Sequence, residues 1–392
     1  MALFDPARHE PLADIAWDPA VARGAIERIV ADVRAAASPE GLWPNHPQEE
    51  LPETAPQTML YLGAAGVIWG LDYLVKAGAA RPGATFAEHL GAIGHANHAE
   101  FAAQGVQTRS FLLGDAGVLA TRWRTGEDVR AELAQVIGAN TDEPMCELMW
   151  GAPGTMLVAL RLFRQTGEAR WAELFRAGAL ALERIYGLDE ALGAHIWTQL
   201  FAGRPAKFVG AVHGFAGNAY VLAAGRELID PETWSKWSGR LAETFAHTAV
   251  RGDDGVNWPS STDAEPRLLM QHCHGAPGMV ACLAGLPEAD DDLLLGAGEL
   301  TWTAGPLAKG ANLCHGTAGN GYAFLKLFER TGDDKWLARA RAFAMHAIAQ
   351  SEREAAKLGR RRYSLWTGDV GLAVYLWQCL QGGADYPTMD VL

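Results

Sequence analysis

The sequence predicts an all-α protein, a solenoid or closed toroid of helical pairs. Three observations predict it. A G-x-x-G motif recurs seven times across the 392 residues. The segments after each copy are long and apolar, without the strict alternation or β-branched bias of strands. The copies follow one another at intervals of 37 to 63 residues, and self-similarity on this scale is the mark of stacked helical units.

The copies are Gly63–Gly66 (GAAG), Gly114–Gly117 (GDAG), Gly151–Gly154 (GAPG), Gly214–Gly217 (GFAG), Gly275–Gly278 (GAPG), Gly316–Gly319 (GTAG) and Gly368–Gly371 (GDVG). After Gly154 runs TMLVALRLFRQTGE, an apolar stretch ending at the turn Thr166-Gly167. After Gly319 the chain runs to Thr331-Gly332 and restarts as an amphipathic helix with Trp336, Leu337, Ala340 and Ala344 on one face. Each repeat therefore reads as an inner apolar helix opened by G-x-x-G, then an outer amphipathic one. Glycines let backbones approach closely and leave N–H groups open at the helix start. Seven inner helices would aim their positive ends at one opening, a place for an anion or a thiolate. The reading is of one domain over 1–392, with an N-terminal segment and first outer helix in 1–55 and the seven repeats in 56–392.

Composition excludes several classes. Hydrophobic residues are 49% and charged residues 20%, which fits a folded chain with a large core rather than disorder. The net charge of −13 argues against a general nucleic-acid binder, which needs a basic footprint. The one dense basic run is Arg360-Arg361-Arg362. Five sparse cysteines do not make a disulfide framework and suit a reducing compartment. The N-terminus MALFDPARHEPLAD lacks an apolar signal core, and no window reads as a membrane span. The expected location is cytoplasmic.

Three copies are preceded by ligand-type residues: Val212-His213-Gly214, His272-Cys273-His274-Gly275 and Leu313-Cys314-His315-Gly316. Cys273 and Cys314 share one phase relative to their glycines. Superposed repeats would bring the two thiols and a histidine into a tridentate zinc site with an open fourth position. Soft sulfur donors favour zinc over magnesium or calcium. His272 and His274 rival His315 as the nitrogen donor. Cys146, Cys282 and Cys379 lie outside this phase and read as inert core thiols.

These stretches resemble a known family. FLLGDAGVLA, FVGAVHGFAGNAYVLA, RLLMQHCHGAPGMV, LAKGANLCHGTAGNGYAFLKL and SLWTGDVGLAVYL are similar to the lanthionine synthetase C-like proteins, most of all to their eukaryotic-type, glutathione-binding branch. The resemblance spans all seven repeats. It implies an (α/α)7 double barrel with one zinc ion at its mouth, held by Cys273, Cys314 and His315. It implies acid/base roles for His213 and Asp115, and glutathione binding by Lys309 and by an arginine of the 360–362 run, Arg361 or Arg362 being the candidates. The implied activity is addition of a thiol, glutathione in that branch, to dehydroalanine or dehydrobutyrine residues of a peptide or protein. His272 and Asp369 depart from the family pattern.

The chemistry suits that implication. Two protein thiolates cancel the charge of zinc, and a third, incoming thiolate stays electron-rich enough to attack a β-carbon. The enolate so formed needs a proton, and His213 is the natural donor. Other readings are a lanthionine cyclase closing rings in a lanthipeptide, a non-catalytic zinc- and glutathione-binding adaptor, and a metal-free carbohydrate enzyme using Asp115 and Asp369. The last leaves both C-H-G blocks unexplained. Pro44–Pro56 and Asp253–Pro266 read as loops within reach of the mouth.

Overall fold

The computed structural model describes residues 2–49, 51–52, 55–201, 203–262 and 267–392. Its fourteen α-helices among these residues alternate in role along the chain. The inner helices are α2 (Ala64–Lys76), α4 (Asp115–Arg124), α6 (Ala152–Thr166), α8 (Phe215–Ala224), α10 (Ala276–Leu283), α12 (Thr317–Thr331) and α14 (Asp369–Gln381). The outer helices are α1 (Pro19–Ala36), α3 (Leu90–Ala103), α5 (Arg130–Ala139), α7 (Ala169–Arg184), α9 (Pro231–His247), α11 (Asp291–Ala304) and α13 (Asp334–Leu358). Each inner helix packs against the next, and α14 returns to α2, so the inner ring closes. The outer helices pack around it, with α1 lying across α13 and α14. This is the (α/α)7 toroid.

The two helix classes start by different physics. Outer helices α1, α9, α11 and α13 open on Asp18, Asp230, Asp290 and Asp333, whose carboxylates accept from first-turn N–H groups. Such caps each stabilise a helix by about 1 kcal/mol. The inner helices all open on the first glycine of their motif, with no side-chain cap. The loop before the motif folds back over the helix start instead. In five repeats the first helical N–H donates to a loop carbonyl, as Thr317 does to Gly310 (2.9 Å) and Phe215 to Phe208 (3.0 Å). In the fifth motif Asn257 Oδ1 takes the Ala276 N–H at 2.7 Å. In six of the seven repeats the expectation of an open first N–H at the mouth is thereby corrected: preceding residues take up that donor.

The second glycine permits this fold-back. A Cβ at Gly319 would lie 1.8 Å from the Leu313 carbonyl oxygen, and the other six motifs show the same encroachment. The first glycines Gly214 (φ 132°) and Gly275 (φ 108°) also hold a conformation that L side chains rarely adopt.

Inner helices are buried nearly all round, while outer ones bury one stripe. On α13 that stripe includes Trp336, Ala340, Phe343 and Ala344, with Leu337 half-buried at its edge. Burying a side chain of Phe or Leu size contributes about 1.5–3 kcal/mol, so the ring is held by its apolar seams. Among the described residues three short antiparallel hairpins interrupt the helical pattern: β1 (Tyr186–Asp189) with β2 (Ala194–Trp197), β3 (Gln199–Phe201) with β4 (Arg204–Ala206), and β5 (Val250–Gly252) with β6 (Gly255–Asn257). They lie in the longest inter-repeat segments, where the chain has length to spare. Among the described residues no helix is long and apolar enough to cross a membrane.

Candidate active site

The loops before the motifs are laced to one another around the mouth. Cys273 N–H donates to the Cys314 carbonyl (3.0 Å), Cys314 N–H to Trp366 (2.9 Å), Trp366 N–H to Tyr61 (3.2 Å) and Tyr61 N–H to Leu112 (2.9 Å). These bonds fix the two cysteines in the same turn of adjacent repeats. Cys273 sits at the bend of a tight bridge in which Gln271 and His274 exchange backbone bonds of 3.1 Å.

Both thiols are buried and unoxidised. They hydrogen-bond one another. Cys273, as acceptor from Cys314 and from Gln271 Nε2 (3.0 Å), is held below the usual thiol range despite its burial. Cys314 donates to Cys273 and is pushed up, with burial adding to the effect. His315 is pushed down to about 4, by burial first and then by the positive charges of Lys309, Arg362 and Arg8. It is thus a neutral imidazole at neutral pH, the form that ligates metal. The donor chemistry of Cys273, Cys314 and His315 fits zinc. Among the described residues, however, no three His, Cys, Asp or Glu side chains already converge as a metal-holding group.

His213 occupies in the fourth repeat the position that His274 and His315 hold in theirs. Its Nδ1 meets Glu147 Oε2 at 3.0 Å. Burial disfavours its charged form, but the Glu147 carboxylate outweighs burial and the net shift is upward, with Cys273 close enough to add to it. Glu147 is fully buried and also accepts from Met149 N–H (3.1 Å) and Trp150 N–H (2.8 Å). Its neighbours therefore fix the His213 ring and leave Nε2 as the working nitrogen. Sequence reasoning missed Glu147. The available signal was a carboxylate just before the third motif, in CELMWGAPG.

Asp115 is the first residue of α4 and is partly buried. Its Oδ2 meets Nδ1 of the exposed His98 at 2.8 Å, on a groove also lined by Arg122 and Glu132. The carboxylate on His213 is Glu147, not Asp115. His272 is fully buried, stacks on Tyr386 at 4.3 Å and is pushed down to about 3 by burial. His274 lies 6.1 Å from His213, ring over ring.

The cations separate. Lys309 is exposed, makes no ion pair among the described residues, and acts electrostatically on both thiols and His315. Arg362 pairs with Glu49 (2.9 Å) and also bears on His315. Arg361 turns away: Nε meets Asp32 (2.6 Å), Nη1 Ser351 (2.7 Å) and Nη2 Glu352 (2.9 Å), and the side chain is 4% exposed. Asp369 is buried, accepts from the Arg362 N–H at 3.2 Å and does not add an open carboxylate. Of the two loops expected near the mouth, the first reaches it through Glu49; residues 50, 53 and 54, and 263–266 of the second, lie outside the described residues.

One mouth of the helical toroid thus gathers paired thiols, a neighbouring histidine and a carboxylate-held histidine. Residues 49–391 match the family described as lanthionine synthetase C-like protein, and the chain belongs to that family. A zebrafish (Danio rerio) protein named glutathione S-transferase LANCL1 is 32% identical over 197 residues, 47% of this chain and 46% of its own length. LanC-like protein GCL1 of Arabidopsis thaliana is 30% identical over 257 residues, 62% of this chain and 58% of its own. The chain thus spans about half the length of the curated relatives it matches. Nisin cyclase has the same fold, with a TM-score of 0.60 over 94% of this chain and 99% of its own at 15% identity.

Proposed function

We propose that this protein joins the thiol of glutathione to dehydroalanine or dehydrobutyrine residues of a peptide or protein, as a zinc-dependent cytoplasmic enzyme. The carrying observation is the pairing of the buried Glu147 with His213 (3.0 Å) beside the Cys273–Cys314 thiols. An adaptor that used zinc only structurally would have no need of a proton donor there.

Cys273, Cys314 and His315 would hold the zinc ion, which when bound keeps an incoming thiol as its thiolate at neutral pH. Lys309 and Arg362 offer positive charge to the carboxylates of the tripeptide. The substrate sulfur forms its bond to the β-carbon, and the double-bond electrons move to the α-carbon and its carbonyl. His213 Nε2 gives a proton to the α-carbon, Glu147 stabilises the imidazolium before that transfer, and the proton released by the thiol to solvent restores the imidazolium. Asp115 stands outside this set.

The test is incubation with glutathione and a dehydroalanine peptide, read by mass spectrometry. The peptide should gain the mass of one glutathione, and His213→Asn should lose that gain. No adduct with zinc-loaded protein would refute the reading. Ring closure in a peptide carrying its own cysteine, without glutathione addition, would move the assignment to a cyclase.

A further inference from the structure

The N-terminal strap carries a residue that reaches the thiol pair. Residues 8–10 run antiparallel to 306–308: Glu10 N–H donates to Pro306, Ala308 N–H donates to Arg8, and His9 bridges Leu307. Glu10 clamps the strap to α13 through His346 and Arg353. Held there, Arg8 donates from Nη2 to Gln271 Oε1 at 3.0 Å, and Gln271 donates from Nε2 to Cys273 Sγ at 3.0 Å. Arg8 lies outside the stretch matched to the family, 49–391.

We propose that Arg8 is a positioning residue for Cys273, acting through the amide of Gln271. The reason is donor arithmetic. A carboxamide has one accepting and one donating end, and the two exchange places when it flips. A guanidinium only donates, so beside Arg8 the Gln271 oxygen must face the strap. Its NH2 must then face the sulfur. Gln271 is 6% exposed, so a flipped amide would set two donors against each other with little water to relieve them. Arg8 thereby decides that Cys273 meets a donor rather than a repelling oxygen, and it fixes the sulfur's direction. The strap is part of the site.

This inference rests on the zinc reading only for its metal readout. Zinc affinity is measured by chelator competition on the full chain and on Arg8→Met, Gln271→Leu and the double variant. Each single change should weaken zinc by on the order of 10–100-fold, as lost outer partners of metal ligands do. The double variant should lose no more than Gln271→Leu alone, because Arg8 works through that amide. The second measurement needs no metal: exchange of the Gln271 side-chain amide protons in protein labelled with 15N-glutamine. In the metal-free wild type one proton should exchange about tenfold slower than in Arg8→Met, the effect of one buried hydrogen bond. Arg8→Lys, which keeps a donor, should retain the protection. Unchanged exchange in Arg8→Met, or additive losses in the double variant, overturns the proposal. A wild type that binds no zinc overturns the zinc reading instead, and the exchange measurement then decides this one.

Discussion

Replacing Glu147 by glutamine removes one charge from the site and almost no volume. Glu147 is fully buried and accepts from His213, Met149 and Trp150. A glutamine oxygen can keep one of the two backbone bonds, so the fold should survive with a modest loss. What is lost is the charge-assisted bond to His213. Hydrogen bonds to charged groups contribute about 1.5–3 kcal/mol. If all of it stabilises the imidazolium before proton transfer, the rate should fall about 10- to 150-fold. The pH dependence gives the sign. Burial lowers the His213 pKa and Glu147 raises it, with a net shift upward from 6.5. Without the carboxylate, burial is opposed only by the smaller influence of Cys273, so the limb where activity falls as pH rises should move to lower pH. The same pair stabilises the fold below the unfolded histidine pKa, near 6.5, and that contribution is lost as pH rises through the higher folded value. The assay is the initial rate of glutathione adduct formation across pH, with zinc content and circular dichroism as controls. A folded, zinc-loaded Glu147→Gln with the wild-type rate and profile would refute the assignment of His213 as proton donor.

Cys314→Ala should abolish stoichiometric zinc, measured by elemental analysis of reduced protein, while the far-ultraviolet spectrum is retained. Gly319→Ala places a Cβ 1.8 Å from the Leu313 oxygen, beside the Cys314 turn. Overpacking of this kind costs about 1–3 kcal/mol, so the melting temperature should drop and zinc retention should weaken with it. Lys309→Ala should raise the KM for glutathione with little change in Tm. Arg361→Ala should do the reverse, because its three bonds to Asp32, Ser351 and Glu352 hold α1 and α13 to the last loop. With Asp32 and Glu352 themselves half in solvent, a loss of about 1–3 kcal/mol is expected.

Some of the site was legible because it repeats. Cys273, Cys314 and His315 each stand at a fixed offset from a glycine that starts an inner helix, so equivalence in the chain becomes adjacency in the ring. Glu147 follows no such rule. It sits before a motif whose neighbouring position carries no histidine, and nothing local says that it points at His213 of the next repeat. Arg361 and Arg362 are neighbours in sequence with opposite roles, because successive residues of an extended segment face opposite ways. One reached the mouth and the other the outer helices.

The seven glycine pairs and the apolar runs after them determined the toroid by themselves, since backbone crowding at each second glycine and burial of each inner helix are properties of single repeats. The thiol pair was determined by the same periodicity. Tertiary structure alone decided which carboxylate holds His213, that Arg361 is tied to Asp32, and that Arg8 lies against Gln271. These contacts join residues 66, 329 and 263 positions apart, and only closure of the ring sets what meets across such distances.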